Sequence, residues 1–565
     1  MPEYPKKELA QLVLQALVEH KIKNVVISPG SRNAPLTIAF VNHPEIETRS
    51  LVDERSAAFF ALGMAQQKGI PVALLCTSGS ALLNYYPAIA EAYYSRIPLI
   101  VLSADRPAHL IDIGDGQTIR QGRVFKDHIL FESGLQEEVD IKENAQRIKE
   151  AIETAITRSG PVHLNIPFDE PLYETVGQLY DFGDLTKPKG ADTNTDSLLN
   201  EEPIPLEELD GYASIWNNSH KKMVILGVHP PDPLIQTQLT HIAKDPSVLV
   251  LTESTSNVDN NSFIRHIDRL IFSLDQEEFE ALRPEVLITF GGMVVSKKIK
   301  QFLRKFPPKH HWHIDPERAM DTFHCLERHF KISAQLFFSQ FFFLTRNVDS
   351  NYQQFWLKRV DAKEKGHVEF IGKTSYSDFK VFDHVFNSIP SADRLQLSNS
   401  SVIRYSQLFS IDKRIEVFCN RGTSGIDGST STAVGAACSF SGQTVFVTGD
   451  LSFFYDNNAL WNSNIPKDFR IIVINNGGGG IFRILPGPAK TSALSYFETP
   501  HQLDASHLCQ MHGLEYLRAY DQSELEEKLN DFYDSSESPR VLEIFTSSEV
   551  NDKVLKAYFD YLSKI

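Results

Sequence analysis

In FRIIVINNGG (residues 469–478) a β-branched apolar run ends in two asparagines and opens onto four consecutive glycines, Gly477 to Gly480. An uninterrupted apolar run bounded by breakers reads as a strand buried on both faces, the pattern of a parallel sheet. A second run of this kind, TVFVTGDLS (444–452), carries Asp450 at its end. Asp450 and Asn476 lie about 26 residues apart, room for a crossover and a return strand, so both strand ends fall on one edge of one sheet. Asp offers a hard anionic oxygen and Asn a neutral one, the donor types that Mg2+ or Ca2+ takes, with a diphosphate to supply further oxygens. Glycines behind Asn476 let a main-chain carbonyl turn to the metal and let a ligand approach with no Cβ in the way. On this reading Gly478 directs its carbonyl to the metal, Gly477 and Gly479 free the turn, and Gly480 leads into Ile481 and Phe482. A glycine-rich surface turn is the plain alternative. A dinucleotide loop is weaker, because GxGxxG is absent.

Outward from this stretch, strand-like runs alternate with helical patterns three times. NVVISPGS (24–31), VALLCTSGS (72–80), LIVLSADRP (99–107) and PVHLNIP (161–167) form the first set. KMVILGVHP (222–230), VLVLTES (248–254), EVLITFGG (285–292) and HWHIDP (311–316) form the second. RLQLSNSS (394–401), RIEVFCNRG (414–422), the two runs above and RVLEIF (540–545) form the third. This alternation implies an α/β fold of three consecutive α/β domains with mainly parallel sheets, which bind ligands at the carboxyl ends of strands. The expected boundaries are residues 1–182, 205–350 and 370–565. A polar, acidic, proline-bearing linker at 181–210 and a polar helical connection at about 345–375 separate them. LFFSQFFFL (336–344) is too short to span a membrane and reads as a buried helix.

The formal charge of −16 over 565 residues repels nucleic acid, so any anionic ligand needs basic residues gathered locally. Five scattered cysteines without a CxxC pair point to a reducing compartment. The N-terminus lacks the apolar core of a signal peptide, no apolar run is long enough for a membrane segment, and a cytoplasmic location is expected.

One further feature needs a partner. In LVDERSAAFFALGMAQQKG (51–69) Glu54 follows a strand and opens an apolar helix, where plain capping by Asp53 would explain the acidic pair.

CTSGSALLNYYPAIAEAYYSRIPLIVLSADRP (76–107) resembles the pyrimidine-binding domain of thiamine diphosphate decarboxylases and synthases, and GD…NN is their diphosphate signature. Within that group, SPGSRNAPL (28–36), VDERSAAFFALG (52–63), ADRP (104–107) with GDGQTIRQ (114–121), and NRGTSGIDGSTSTAVG (420–435) resemble one family. It is the 2-succinyl-5-enolpyruvyl-6-hydroxy-3-cyclohexene-1-carboxylate (SEPHCHC) synthases of menaquinone biosynthesis. The resemblance runs from about residue 10 to 550 and is thinnest in the middle.

The resemblance implies thiamine diphosphate with Mg2+ or Mn2+, decarboxylation of 2-oxoglutarate, and conjugate addition of the succinyl unit to isochorismate. Glu54 becomes the catalytic carboxyl group on the cofactor's pyrimidine ring, and Asp450, Asn476 and Gly478 the metal ligands. Ser400, Ile426, Leu451, Ser452, Gly480, Ile481 and Phe482 join them around the cofactor. Ser31, Arg32, Arg106, Gln117, Lys297, Lys298, Ser400, Arg404 and Arg421 meet the substrates. Ile481, Phe482 and Leu485 add an apolar wall, with Ile426 on the cofactor side. Both substrates carry two carboxylates, which six cations in an acidic chain would match. Lys298 stands where the family pattern has Arg, so it keeps the charge and loses the planar fork. Self-association is implied too, as a dimer or tetramer with sites at a dimer interface. Another thiamine diphosphate lyase, such as an acetolactate synthase or 2-oxo acid decarboxylase, would take small neutral acceptors and need no such cations. A non-catalytic binding protein on the same fold would have lost Glu54 or the Asp450–Asn476 pair.

Overall fold

The computed structural model describes residues 3–188, 201–391, 393–484, 487 and 491–565. Three six-stranded sheets carry the fold, and every neighbouring pair of strands within them is parallel. Across the first sheet the strands run Glu47–Ser50, Asn24–Ile27, Val72–Cys76, Leu99–Asp105, Val162–Pro167 and Phe131–Gly134. The third repeats that order with Glu416–Cys419, Arg394–Leu397, Thr444–Gly449, Arg470–Asn475, Arg540–Phe545 and Glu515–Ala519. The middle sheet is wound differently: Phe263–Ile264, Val248–Leu251, Lys222–Leu226, Val286–Phe290, His310–Ile314 and Arg328–Phe330.

Alternation along the strands explains why their sequences are apolar at every position. Val72, Leu74 and Cys76 point into one core, while Ala73 and Leu75 point into another on the opposite face. In the third sheet Phe446, Ile471 and Val473 enter the core that holds Val72 and Leu74, so the first and third sheets share one hydrophobic layer. Helix Glu54–Lys68 and helix Ser429–Ala437 cross inside that layer. They approach so closely that a Cβ on Gly63 would stand 2.0 Å from the Thr432 carbonyl oxygen, and one on Gly435 would stand 2.0 Å from that of Phe60. The two glycines therefore set the distance between the domain that carries Glu54 and the domain that carries Asp450.

Within the three sheets four strands have no counterpart in the runs picked out from the sequence, Phe131–Gly134, Phe263–Ile264, Arg328–Phe330 and Glu515–Ala519, while the strand expected before Glu54 is Glu47–Ser50. Each is an edge strand or its short outer neighbour, and most are partly solvated, so they lack the apolar run that marks the central strands. The phenylalanine-rich segment forms helix Ala334–Phe341 and a single 3-10 turn, Phe342–Leu344. Phe337, Phe338 and Phe341 are buried there, whereas Phe343 is 90% exposed. No described helix is long and apolar enough to cross a membrane.

A Gly435→Ala variant should lose about 3 kcal/mol through overpacking against main chain. A urea titration should place its unfolding midpoint clearly below that of the unmodified chain; an unchanged midpoint would refute the close crossing.

Candidate active site

Strands Thr444–Gly449 and Arg470–Asn475 lie side by side with Gly449 opposite Ile474, which brings the two motif ends together. Asp450 opens the short helix Asp450–Tyr455 and is almost wholly buried. Its Oδ2 accepts the Gly478 N–H at 2.9 Å and its Oδ1 accepts the Leu451 N–H at 2.7 Å. His501 Nε2 stands 3.3 Å from the same Oδ2, and that carboxylate raises the imidazole pKa. Across the turn, Asn476 Nδ2 donates to Asp378 Oδ2 at 2.9 Å, while Thr546 Oγ1 donates to Asp378 Oδ1 at 2.5 Å. Burial pushes the Asp378 carboxyl up to about 6.

With its amide nitrogen so anchored, Asn476 leaves Oδ1 buried and without a partner. A buried unsatisfied carbonyl is costly, and an ion is one of the few things that satisfies it. The glycines fit the same use. Gly478 has φ +146, and a Cβ there would meet the Glu498 carbonyl oxygen at 2.6 Å. Its own carbonyl accepts the Gly480 N–H at 2.9 Å, which leaves a second lone pair. Gly477 has φ +77, and its carbonyl accepts the His501 N–H at 3.1 Å. A buried carboxylate, a free amide oxygen and a turn stripped of Cβ atoms suit a divalent cation bridging to a diphosphate.

Around this edge, Ser452 Oγ donates to the Ile426 carbonyl at 2.8 Å, fixing the loop that carries Ile426. Ile481 is buried at the start of helix Ile481–Ile484, and Phe482 stacks on Phe497 with ring centroids 5.5 Å apart. Leu485 lies outside the described residues.

Glu54 is the first residue of its helix, and Asp53 is the cap: its Oδ1 accepts the Ser56 N–H at 2.9 Å. Capping by Asp53 therefore leaves the Glu54 carboxylate unused. Among the described residues no hydrogen bond or ion pair engages the Glu54 carboxylate. Its neighbours are held instead by the segment after Asp450. Asn458 Nδ2 donates to Asp53 Oδ2 at 2.6 Å, and Arg55 Nη2 donates to the Tyr455 carbonyl at 3.1 Å.

The residues assigned to the substrates fall into two groups that no described hydrogen bond or ion pair joins. On the first sheet, the exposed Ser31 sits beside Arg32, which donates to the Phe168 carbonyl at 2.8 Å and pairs with Glu170 at 3.3 Å. Arg106 pairs with Asp115 at 2.8 Å and donates to Ser78 Oγ and the Gln117 carbonyl, each at 3.0 Å. Gln117, at φ +57, donates to the Ser78 carbonyl at 3.1 Å.

The second group lies between the middle and third sheets. Lys297 and Lys298 open helix Lys297–Lys305, and the Lys298 ammonium stands 4.6 Å over the Phe272 ring. Ser400 holds φ +67 before helix Ser401–Tyr405, a strained conformation of the kind found at ligand sites. Arg404, on that helix, has a buried Nε without a partner, and its side chain makes no described hydrogen bond or ion pair. Burial, then the charge of Arg421, lowers its pKa. Arg421 Nη1 donates to Asn399 Oδ1 at 2.7 Å, and its Nε is buried and unpartnered too. Arg404 in turn lowers the pKa of Lys297. Arg404 therefore faces two like charges, with Asp268 countering them.

Asp378, Asn399 and His501 carry no local sequence signal that marks them as part of the site. Asp378 acts on Asn476 across 98 residues of chain, a pairing that only the folded sheet creates.

Sequence comparison bears directly on this arrangement. A model described as "Thiamine pyrophosphate enzyme, N-terminal TPP binding domain" matches residues 7–143, which include Glu54. "Middle domain of thiamine pyrophosphate" matches 213–397, and "Thiamine pyrophosphate enzyme, C-terminal TPP binding domain" matches 400–544, which include Asp450 and Asn476. The chain is 53% identical over 562 residues to a 2-succinyl-5-enolpyruvyl-6-hydroxy-3-cyclohexene-1-carboxylate synthase of Flavobacterium johnsoniae, covering 99% of this chain and 100% of that protein. The synthase of the same name from Flavobacterium psychrophilum is 50% identical, with 99% and 100% covered. That of Porphyromonas gingivalis is 38% identical, with 98% and 96% covered. The chain belongs to the SEPHCHC synthase family.

This enzyme is thus a thiamine diphosphate-dependent member that forms a C–C bond in menaquinone biosynthesis. The middle match ends at 397, yet strand Arg394–Leu397 pairs within the third sheet, so the structural boundary lies before it. Asp378, on the helix ahead of that strand, holds the Asn476 amide. An Asp378→Ala variant of the enzyme should bind Mg2+ and thiamine diphosphate about 10- to 100-fold more weakly in a fluorescence titration. Unaltered affinity would mean that Asn476 needs no such support.

Proposed function

We propose that the enzyme decarboxylates 2-oxoglutarate and adds the resulting succinyl unit to isochorismate, releasing CO2. The observation that carries this is the gathering of Arg404 and Arg421, whose buried Nε atoms have no described partner, with Lys297 in a chain of net charge −16. Substrates with two carboxylates each would complete it through charge-assisted, bidentate contacts. Arg32, Arg106, Ser31 and Gln117 on the first sheet would hold the other end of the reacting pair, with Lys298 and Ser400 beside the cluster.

Asp450, Asn476 Oδ1 and the Gly478 carbonyl would hold Mg2+ or Mn2+ against the diphosphate, with Leu451, Ser452 and Gly480 shaping the surrounding turn. When bound, thiamine diphosphate supplies the electron sink for decarboxylation, and the protein supplies orientation and exclusion of water. The Glu54 carboxyl, without a hydrogen-bond or ion-pair partner among the described residues, would hydrogen-bond to the pyrimidine ring nitrogen and hold or release a proton there. Ile426, Ile481 and Phe482 would present an apolar wall that keeps water from the reacting carbon. Glu54 and Asp450 lie in different domains, and no described hydrogen bond or ion pair joins the Glu54 carboxylate or the first-sheet cations to the Asp450 turn or the Arg404 cluster; with the family resemblance, this supports a complete site at a dimer interface, within a dimer or a tetramer. The five free cysteines fit a cytoplasmic enzyme.

The test is turnover by the purified chain with thiamine diphosphate and Mg2+. Consumption of 2-oxoglutarate with isochorismate and release of CO2 is expected, whereas consumption of pyruvate alone would indicate a different lyase. A Glu54→Gln variant should lose at least about 100-fold in kcat while binding cofactor nearly as before. An undiminished rate would remove Glu54 from the mechanism.

A further inference from the structure

Two buried carboxylates stand beside the cation cluster without pairing with it. Glu91 belongs to helix Tyr86–Ser95 of the first domain and has no exposed surface. Its Oε1 accepts the Gly422 N–H at 2.7 Å and the Ser95 Oγ–H at 2.6 Å. Its Oε2 accepts the Thr423 N–H at 2.6 Å and the Thr423 Oγ1–H at 2.8 Å. Four donors thus occupy a group with about four lone-pair sites. Gly422 and Thr423 directly follow Arg421, and a Cβ at Gly422 would meet the Glu91 carbonyl oxygen at 2.6 Å. From the other side Asn399 Nδ2 donates to the carbonyls of Asn420 and Gly425, each at 2.7 Å.

The same device recurs at the second basic turn. Glu253, at the end of a middle-sheet strand, accepts the Val295 N–H and the Ser296 N–H, each at 2.7 Å. Those residues directly precede Lys297 and Lys298. In both places the carboxylate grips two consecutive main-chain amides and leaves the neighbouring cationic side chain alone.

We propose that Glu91 is a positioning residue for substrate binding: it fixes the main chain of the Arg421 turn, so that the guanidinium is aimed but left unpaired for a substrate carboxylate. Glu253 does the same for the Lys297–Lys298 turn. This rests on the reading of Arg421 as a substrate contact. Saturation explains why a buried carboxylate so near does not close on Arg421 as a salt bridge. Replacing Glu91 by Gln keeps the shape but sets an N–H2 group against one of the two amides, which loosens the turn.

The test is steady-state kinetics of the holoenzyme for both carboxylate substrates, comparing Glu91→Gln, Arg421→Ala and the double variant, with thermal midpoints taken alongside. Arg421→Ala should raise KM for at least one substrate. Glu91→Gln should raise KM for that same substrate by about 10-fold with kcat within about 3-fold, and the double variant should add little to Arg421→Ala. Glu91→Asp should show a smaller rise, since it keeps the charge; if Glu91→Gln does not fold, a KM rise in Glu91→Asp alone supports the proposal and an unchanged KM overturns it. Unchanged KM in Glu91→Gln while Arg421→Ala raises it overturns the positioning role alone. Unchanged KM in Arg421→Ala overturns both that role and the reading of Arg421.

Discussion

The hydrogen bond from the Gly478 N–H to the Asp450 carboxylate, 2.9 Å across two adjacent strand ends, is the contact on which the cofactor edge depends. It forms because strands Thr444–Gly449 and Arg470–Asn475 are neighbours in a parallel sheet, which places both carboxyl ends on one side. With Asp450 engaged on the turn and Asn476 tied to Asp378, one amide oxygen is left buried without a partner. The glycines serve geometry rather than flexibility: a side chain at Gly478 would collide with the Glu498 main chain. Bare backbone here is a shaped surface.

A second constraint is electrostatic. The chain is acidic overall, yet Arg404, Arg421 and Lys297 gather where the middle and third domains meet. Such a cluster is unfavourable unless something compensates. The nearby carboxylates of Glu91 and Glu253 are turned to main-chain amides, which keeps the cations available. On the proposed reading, the arrangement trades the stability of closed salt bridges for substrate binding.

Much of the fold was legible because parallel sheets bury both faces of each central strand, and runs such as VALLC and RIIVIN have no other comfortable home. Edge strands such as Phe131–Gly134 and Glu515–Ala519 were not, because solvent on their outer side removes the apolar signal. Asp450 and Asn476 were legible together because chemistry and spacing agreed. Asp378 and Glu91 were not, since each acts on a partner 98 and 331 residues away, respectively, through contacts that only tertiary structure makes. The six cations read from the sequence as one set, whereas the fold divides them. Arg32 and Arg106 are paired with acidic neighbours on the first sheet, while Arg404 stands unpaired between the other two.

The central claim is that Asp450, Asn476 and Gly478 form a divalent-metal site bridging to the cofactor diphosphate. Anomalous scattering from a crystal grown with Mn2+ and thiamine diphosphate tests it most directly. The expected peak lies about 2.0–2.4 Å from an Asp450 carboxylate oxygen, Asn476 Oδ1 and the Gly478 carbonyl oxygen. A peak elsewhere, or one that leaves Asn476 Oδ1 uncoordinated, would contradict the account.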